Sequence, residues 1–250
     1  ENPFRVAESG KHVALAEADG EFVLFVDADN EITSADFMRL AVLGLKNHPQ
    51  ALGVESYYPA APGMSSFCAY LTETLHISDP VARMMCVRPV LVSVDGEVER
   101  WAFPGDSLAY PLGANGFLFR KADLDAIRGP EHFEDAQVAL KLALAGKKEW
   151  LRLRGRGVHH YIARGPMDFL KKRRRQTYHF LSLKNKSDVS WTRMQPRMPG
   201  WAACLLCATL IVPAVEMLCG LWKSGDRRWL WHPLASFLSA LGLVWGVLTF

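Results

Sequence analysis

Apolar residues are spaced differently along the chain, and each spacing predicts an element. Phe22-Val-Leu-Phe-Val26 is a continuous apolar run rich in β-formers, the pattern of a strand buried on both faces. It stops at Asp27-Ala-Asp29-Asn30. Ser34 then stands where it can cap a helix whose apolar positions Phe37, Leu40, Ala41 and Leu45 share one face. Residues 52–58 read as a second strand. Residues 67–77 carry Phe67, Tyr70, Leu71 and Leu75 at helical spacing. A strand is predicted over 90–94, with Asp95-Gly96 as a turn, and a short one over 117–120. Residues 134–145 predict a helix ending at Gly146, followed by Lys147 and Lys148 where a helix C-terminus favours cations. Residues 158–162 form the last strand. Strands alternating with helices predict an α/β layer fold with a largely parallel sheet.

The last fifty residues follow another pattern. Residues 201–222 are apolar apart from one charge, Glu216, and residues 229–250 carry no charge. At 1.5 Å per residue each run is long enough for a hydrocarbon core of about 30 Å. Trp201, Trp222, Trp229 and Trp231 sit at the run ends, as an interfacial belt requires. Two transmembrane helices over 201–250 are therefore predicted, joined by Lys223-Ser-Gly-Asp-Arg-Arg228. Before them, residues 168–181 predict a helix that carries Lys171-Lys-Arg-Arg-Arg-Gln176, with Phe169, Leu170, Phe180 and Leu181 as its apolar side. Such a helix over a basic segment (167–200) reads as an interfacial element on anionic lipid. The loop between the two runs is less basic than the segment upstream, which places the soluble portion in the cytoplasm, on an integral membrane protein of the plasma or inner membrane.

Composition changes this picture little. The net charge is +3 over 250 residues, so the basic segment matters more than the total, and no compact nucleic-acid-binding motif accompanies it. Nucleic acid is thereby set aside as a partner. The five cysteines make no disulfide or zinc framework: Cys204 and Cys207 have C-x-x-C spacing, but Leu and Ala flank them and no second pair follows. The chain opens on Glu1-Asn-Pro-Phe-Arg5 without a methionine and ends within an apolar run, and it reads as a fragment.

Several features carry chemistry. Asp27 and Asp29 lie at the carboxyl end of a strand, where open α/β sheets bind ligands. Two such carboxylates suit Mg²⁺ or Mn²⁺, which takes oxygen ligands and shares them with substrate phosphates; helix-capping turn residues are the plainer reading. Glu134 and Asp135 open a helix, where acids complement the dipole and one could also serve as a general base. Pro111-Leu-Gly-Ala-Asn-Gly116 is a loop whose glycines permit close backbone approach, or a simple turn.

Taken in order, Phe25-Val-Asp-Ala-Asp-Asn30, Gly113-Ala-Asn-Gly116-Phe-Leu-Phe-Arg-Lys121, Phe133-Glu-Asp135, a basic Arg/Gln helix and an apolar tail resemble the family-2 inverting glycosyltransferases. Gly10-Lys11-His-Val-Ala-Leu15 is similar to the segment that precedes the D-x-D strand in that family. The resemblance covers about residues 1–176. It implies a GT-A (Rossmann-like) domain over 1–166, truncated at its N-terminal nucleotide-binding segment. By it, Asp27 and Asp29 hold the metal and the donor diphosphate, with Lys11, Arg174, Arg175 and Gln176 also on the donor. Asp135 is the base with Glu134 beside it. Gly113, Ala114, Asn115 and Gly116 shape the acceptor pocket, and His159 and His160 lie near it. The family's Q-x-x-R-W element is absent as such. The implied partners are a nucleotide sugar, a lipid-linked or glycan acceptor and membrane lipids. A catalytically inactive scaffold of the same fold and a nucleotidyltransferase are the rival readings.

Overall fold

The computed structural model describes residues 7–75, 77–105, 107–110, 112, 115–127, 135–183 and 196–250. The chain divides into two compact units, Glu1–Tyr58 with Arg88–His159, and Pro59–Val87 with His160–Phe250.

The first unit is built on a mixed seven-stranded sheet flanked by helices. Its elements are α1 (Ala7–Glu17), β1 (Phe22–Phe25), β2 (Glu31–Ile32), α2 (Phe37–Asn47), β3 (Val54–Tyr57), β4 (Val90–Asp95), β5 (Val98–Ala102), β6 (Phe117–Arg120), α5 (Lys121–Ile127), α6 (Asp135–Leu144) and β7 (Glu149–His159). Strand order is β1-β6-β3-β7-β5-β4, with β2 beside β7. The expected largely parallel sheet is corrected. Only β3 and β7 pair in parallel among the described strands; every other pairing is antiparallel. Two local causes are visible. β4 and β5 form a hairpin that turns at Gly96 (φ +57°), a conformation glycine adopts without cost. β6 runs against both of its neighbours, β1 and β3.

The helical spacing of α2 does bury one face: Phe37, Ala41 and Leu45 pack on Val54, Leu118, Leu151 and Leu153. Its N-cap is Asp36 rather than Ser34, which offers only its carbonyl, to the Phe37 amide at 3.2 Å. At the other end of α2, the Arg120 guanidinium donates to the carbonyls of Leu45, His48 and Ala51, so one cation ties the last turn of the helix to the loop that follows it. Under the sheet Glu55 and Arg152 form a buried ion pair, and the Trp150 indole donates to the same Glu55 oxygen at 2.9 Å.

The second unit is helical: α3 (Ser66–Ala69), a π-helical turn (Tyr70–Thr74), α4 (Pro80–Met85), α7 (Pro166–Leu183), α8 (Gly200–Ala208), α9 (Ile211–Ser224), a 3₁₀ turn (Arg227–Trp231) and α10 (His232–Leu248). The single helix expected over 67–77 is thus a short α-helix, capped by Ser65, that widens into a π turn closed by the Leu75 amide on the Tyr70 carbonyl. The expectation of two transmembrane helices is also corrected. One helical stretch, Arg227–Leu248, is long and apolar enough to cross a membrane among the described residues. The run 201–222 instead breaks into α8 and α9, bent by 76°. Leu210 adopts the left-handed region (φ +62°), and Pro213 has no amide to give the Thr209 carbonyl, with which its ring would clash in a continuous helix. α7 lies against α10 over a seam of small residues. A side chain at Gly242 would meet Arg173 Cβ at 2.6 Å, and one at Gly246 would meet Thr177 Cβ at 2.6 Å.

Candidate functional site

The β1–β6 ladder positions the acidic loop. Phe25 lies opposite Phe117, and continuing that register outward brings Asp27 level with Asn115. The ladder extends by one bond from the Gly116 amide to the Phe25 carbonyl, at 2.6 Å. Past it, the Asn115 side-chain oxygen accepts two hydrogen bonds, from the Asp27 amide at 3.1 Å and from Asn30 Nδ2 at 3.0 Å. The Asn30 amide also donates to the Asp27 carbonyl, which closes the turn Asp27–Asn30 on itself. One amide side chain therefore ties both ends of the D-x-D turn to the neighbouring strand.

Asn115 is itself held from beneath. Its carbonyl accepts from the Tyr58 hydroxyl at 2.7 Å, and the Gly116 carbonyl accepts from Ser56 Oγ. Burial, and then the charge of Glu55, push the Tyr58 phenol far above its ordinary value, so it remains a neutral donor. Gly116 has φ +66°, and a Cβ there would stand 2.5 Å from Ser56 Oγ; glycine meets both demands.

On the other side β2 pairs with the end of β7. Glu31 is level with His159 and Ile32 with Val158, which brings His159 to the strand end beside the loop. Thr33 and Gly157 exchange hydrogen bonds. A Cβ on Gly157 would stand 2.0 Å from the Tyr57 carbonyl, so glycine is what lets β7 come this close to β3.

The Lys11 ammonium, on α1, lies 3.0 Å from Asp27 Oδ1. Asp27 is half-buried and Asp29 is exposed. Among the described residues no three His, Cys, Asp or Glu side chains gather as a metal cage. Two carboxylates at an open strand end, however, are a donor set that fits Mg²⁺ or Mn²⁺, which keeps waters and shares phosphate oxygens. Lys11 beside Asp27 shows that this position already attracts positive charge.

Of the other residues singled out in the sequence, Asp135 opens α6. Gly113, Ala114 and Glu134 lie outside the described residues. His160, Arg174, Arg175 and Gln176 belong to the second unit. There Arg174 stacks over the Trp245 ring at 4.3 Å and donates to Thr249 Oγ1 at 3.3 Å, while Arg175 and Gln176 are exposed. Asn30, Ser56 and Tyr58 support the loop and were not singled out. Asn30 had a readable signal: an amide residue immediately after D-x-D is a turn-former able to bond back across its own turn.

No family model and no curated protein matches the chain. Among solved structures, the crystal structure of S. aureus TarS 1-349 is similar over 97% of this chain and 71% of its own, with 15% sequence identity and a TM-score of 0.36.

Proposed function

We propose that the chain is a membrane-bound inverting glycosyltransferase of the family-2, GT-A type. It moves a sugar from a nucleotide-sugar donor to a hydroxyl or phosphate of a lipid-linked or polysaccharide acceptor. The observation that supports this reading is the D-x-D turn, held level with Asn115 at the end of β1, with Lys11 against Asp27.

In this reading Asp27 and Asp29 hold Mg²⁺ or Mn²⁺, which when bound neutralises charge on the diphosphate. Lys11 adds a fixed cation on the same side. Asn115 and Gly116 shape the acceptor pocket, and His159 at the end of β7 is assigned to it too. Asp135, seconded by Glu134, takes the acceptor proton. The acceptor oxygen bonds to the anomeric carbon as the bond from that carbon to the diphosphate oxygen breaks, the diphosphate leaves with the electron pair, and configuration inverts. The catalytic unit works on the cytoplasmic face of the plasma or inner membrane.

The test is turnover of a panel of nucleotide sugars by membrane-embedded protein with Mn²⁺ or Mg²⁺, beside Asp135→Asn and Asp29→Ala. Metal-dependent turnover lost in both variants establishes the reading. Metal-independent turnover, or full activity in both variants, overturns it.

A further inference from the structure

The helical unit carries apolar and basic surfaces that the chemistry proposed for the sheet does not use. α8 and α9, of 9 and 14 residues, are about 14 and 21 Å long, and each is too short for a hydrocarbon core of about 30 Å. Both ends of this helix–break–helix return to one place. Just before α8, the Arg197 amide donates to the Met85 carbonyl on α4 at 2.8 Å. Just after α9, the Trp229 ring lies 5.8 Å from the Arg83 guanidinium, one helical turn or less from Met85. Arg228 also pairs with Glu73 at 2.9 Å, and the Trp231 indole donates to Ser66 at 3.0 Å. A segment whose two ends both contact the same short helix does not traverse a bilayer between them.

Its outward face is apolar nonetheless. Ile211, Val215, Leu218 and Trp222 follow one another at i, i+4, i+7 and i+11 on α9, and Trp201 and Leu205 do so on α8; all six are more than half exposed. The opposite face of α9 makes the internal contacts, with Glu216 bonded to Arg83 and His232. α10 has a comparable outward stripe in Leu234, Phe237, Leu241, Val244 and Leu248.

α10 does not stand apart as a spanning helix. α7 runs beside its C-terminal half in the same direction, with Arg173 on Gly242 and Thr177 on Gly246. Lys171, Arg174 and Arg175 line an open depression of about 530 Å³ on α7. A perpendicular α10 would drag these cations through hydrocarbon, where each costs several kcal/mol. With α10 in the plane of the interface, they lie at the headgroups.

We propose that α8, α9 and α10 form a monotopic membrane module. The α8–α9 break dips into one leaflet of an anionic membrane and returns, and Lys171, Arg174, Arg175 and Lys223 all remain on the side of entry. This removes a conflict in the charge pattern. Two full spans would have left the basic residues Lys223, Arg227 and Arg228 across the membrane from the basic segment upstream. The partner is a bilayer surface bearing phosphate headgroups.

The test is labelling of single cysteines by a membrane-impermeant maleimide in sealed vesicles carrying the full chain, in a background with Cys68, Cys86, Cys204, Cys207 and Cys219 all replaced by Ala. Lys171→Cys and Lys223→Cys are expected to react from the same side. Val215→Cys is expected to react at least about tenfold more slowly than Lys223→Cys, and to recover in detergent. Reaction of Lys223→Cys only from the side opposite Lys171→Cys overturns the module in favour of a complete crossing. Equal rates at Val215→Cys and Lys223→Cys overturn it in favour of a stripe in water. Asp29→Ala carried through the same experiment leaves the labelling unchanged, which separates the module from the proposed catalysis.

Discussion

Asn115→Ala is the most informative perturbation of the acidic loop. It removes an oxygen that accepts from the Asp27 amide at 3.1 Å and from Asn30 Nδ2 at 3.0 Å, in half-buried surroundings. Neutral hydrogen bonds of this kind contribute about 0.5–1.5 kcal/mol each, so the turn loses about 1–3 kcal/mol of ordering. If binding needs the ordered turn, affinity for the diphosphate falls by about 5- to 150-fold, at tenfold per 1.4 kcal/mol. The assay is calorimetric titration of the full chain with UDP and GDP in Mn²⁺, beside Asn30→Ala and Asp29→Ala. Asn30→Ala removes one bond of the two and is expected to lose about half as much on a logarithmic scale. Wild-type affinity in Asn115→Ala, with binding abolished in Asp29→Ala, would refute the idea that the neighbouring strand orders the turn.

Glu55→Gln leaves Arg152 charged, buried and without its carboxylate, and is expected to cost about 3–5 kcal/mol in denaturant unfolding; a loss below about 1 kcal/mol contradicts a buried pair. Burial pushes the Asp79 carboxyl up, but Arg173, Ser239 and the amide of Ala82 outweigh it and hold it below its ordinary 3.8. A depressed carboxyl contributes stability above its unfolded value that is lost as pH falls through the folded one, so wild type weakens below about pH 4. Asp79→Asn loses that part of the slope in unfolding followed by circular dichroism; an unchanged slope rules the carboxyl out as its source. Gly246→Val pushes Thr177, and α7 with it, away from α10 and is expected to cost about 1–3 kcal/mol, read as a lower melting temperature. Leu210→Gly keeps the left-handed break and stays within about 1 kcal/mol of wild type, whereas β-branched Leu210→Val costs more; equal stability of the two contradicts a strained turn.

Much of the sheet was legible from local pattern. Phe117–Arg120 is a dense apolar run whose first three residues are buried, as such runs report; Phe22–Phe25 was equally plain as a strand, but it lies at the sheet edge and only Phe25 is fully buried. Strand direction was not legible, because periodicity says which faces are buried and nothing of which neighbour a strand meets. β5 escaped notice since Val-Glu-Arg-Trp-Ala is neither alternating nor uniformly apolar, and its residues are half-buried throughout. The tail failed for a different reason. Hydropathy over 201–222 sums side chains and is blind to one backbone angle at Leu210 and one missing amide at Pro213. At the acidic loop the aspartates were plain in the sequence. The grip of Asn115 on them depends on a strand register spanning 88 positions, which no local signal contains.

That separation has a consequence for the growing chain. Asp27 and Asn115 come level only once β6 has paired with β1, so a nascent polypeptide carries its two aspartates long before it owns a site. Contacts this distant in sequence form late, after the entropy of closing a long loop has been overcome. Until residue 120 is available, the turn has no partner strand to shape it and no reason to retain a cation or a nucleotide. Competence therefore arrives in one step with the sheet, and a ligand that recognises the ordered turn will in return stabilise the β1–β6 pairing that made it.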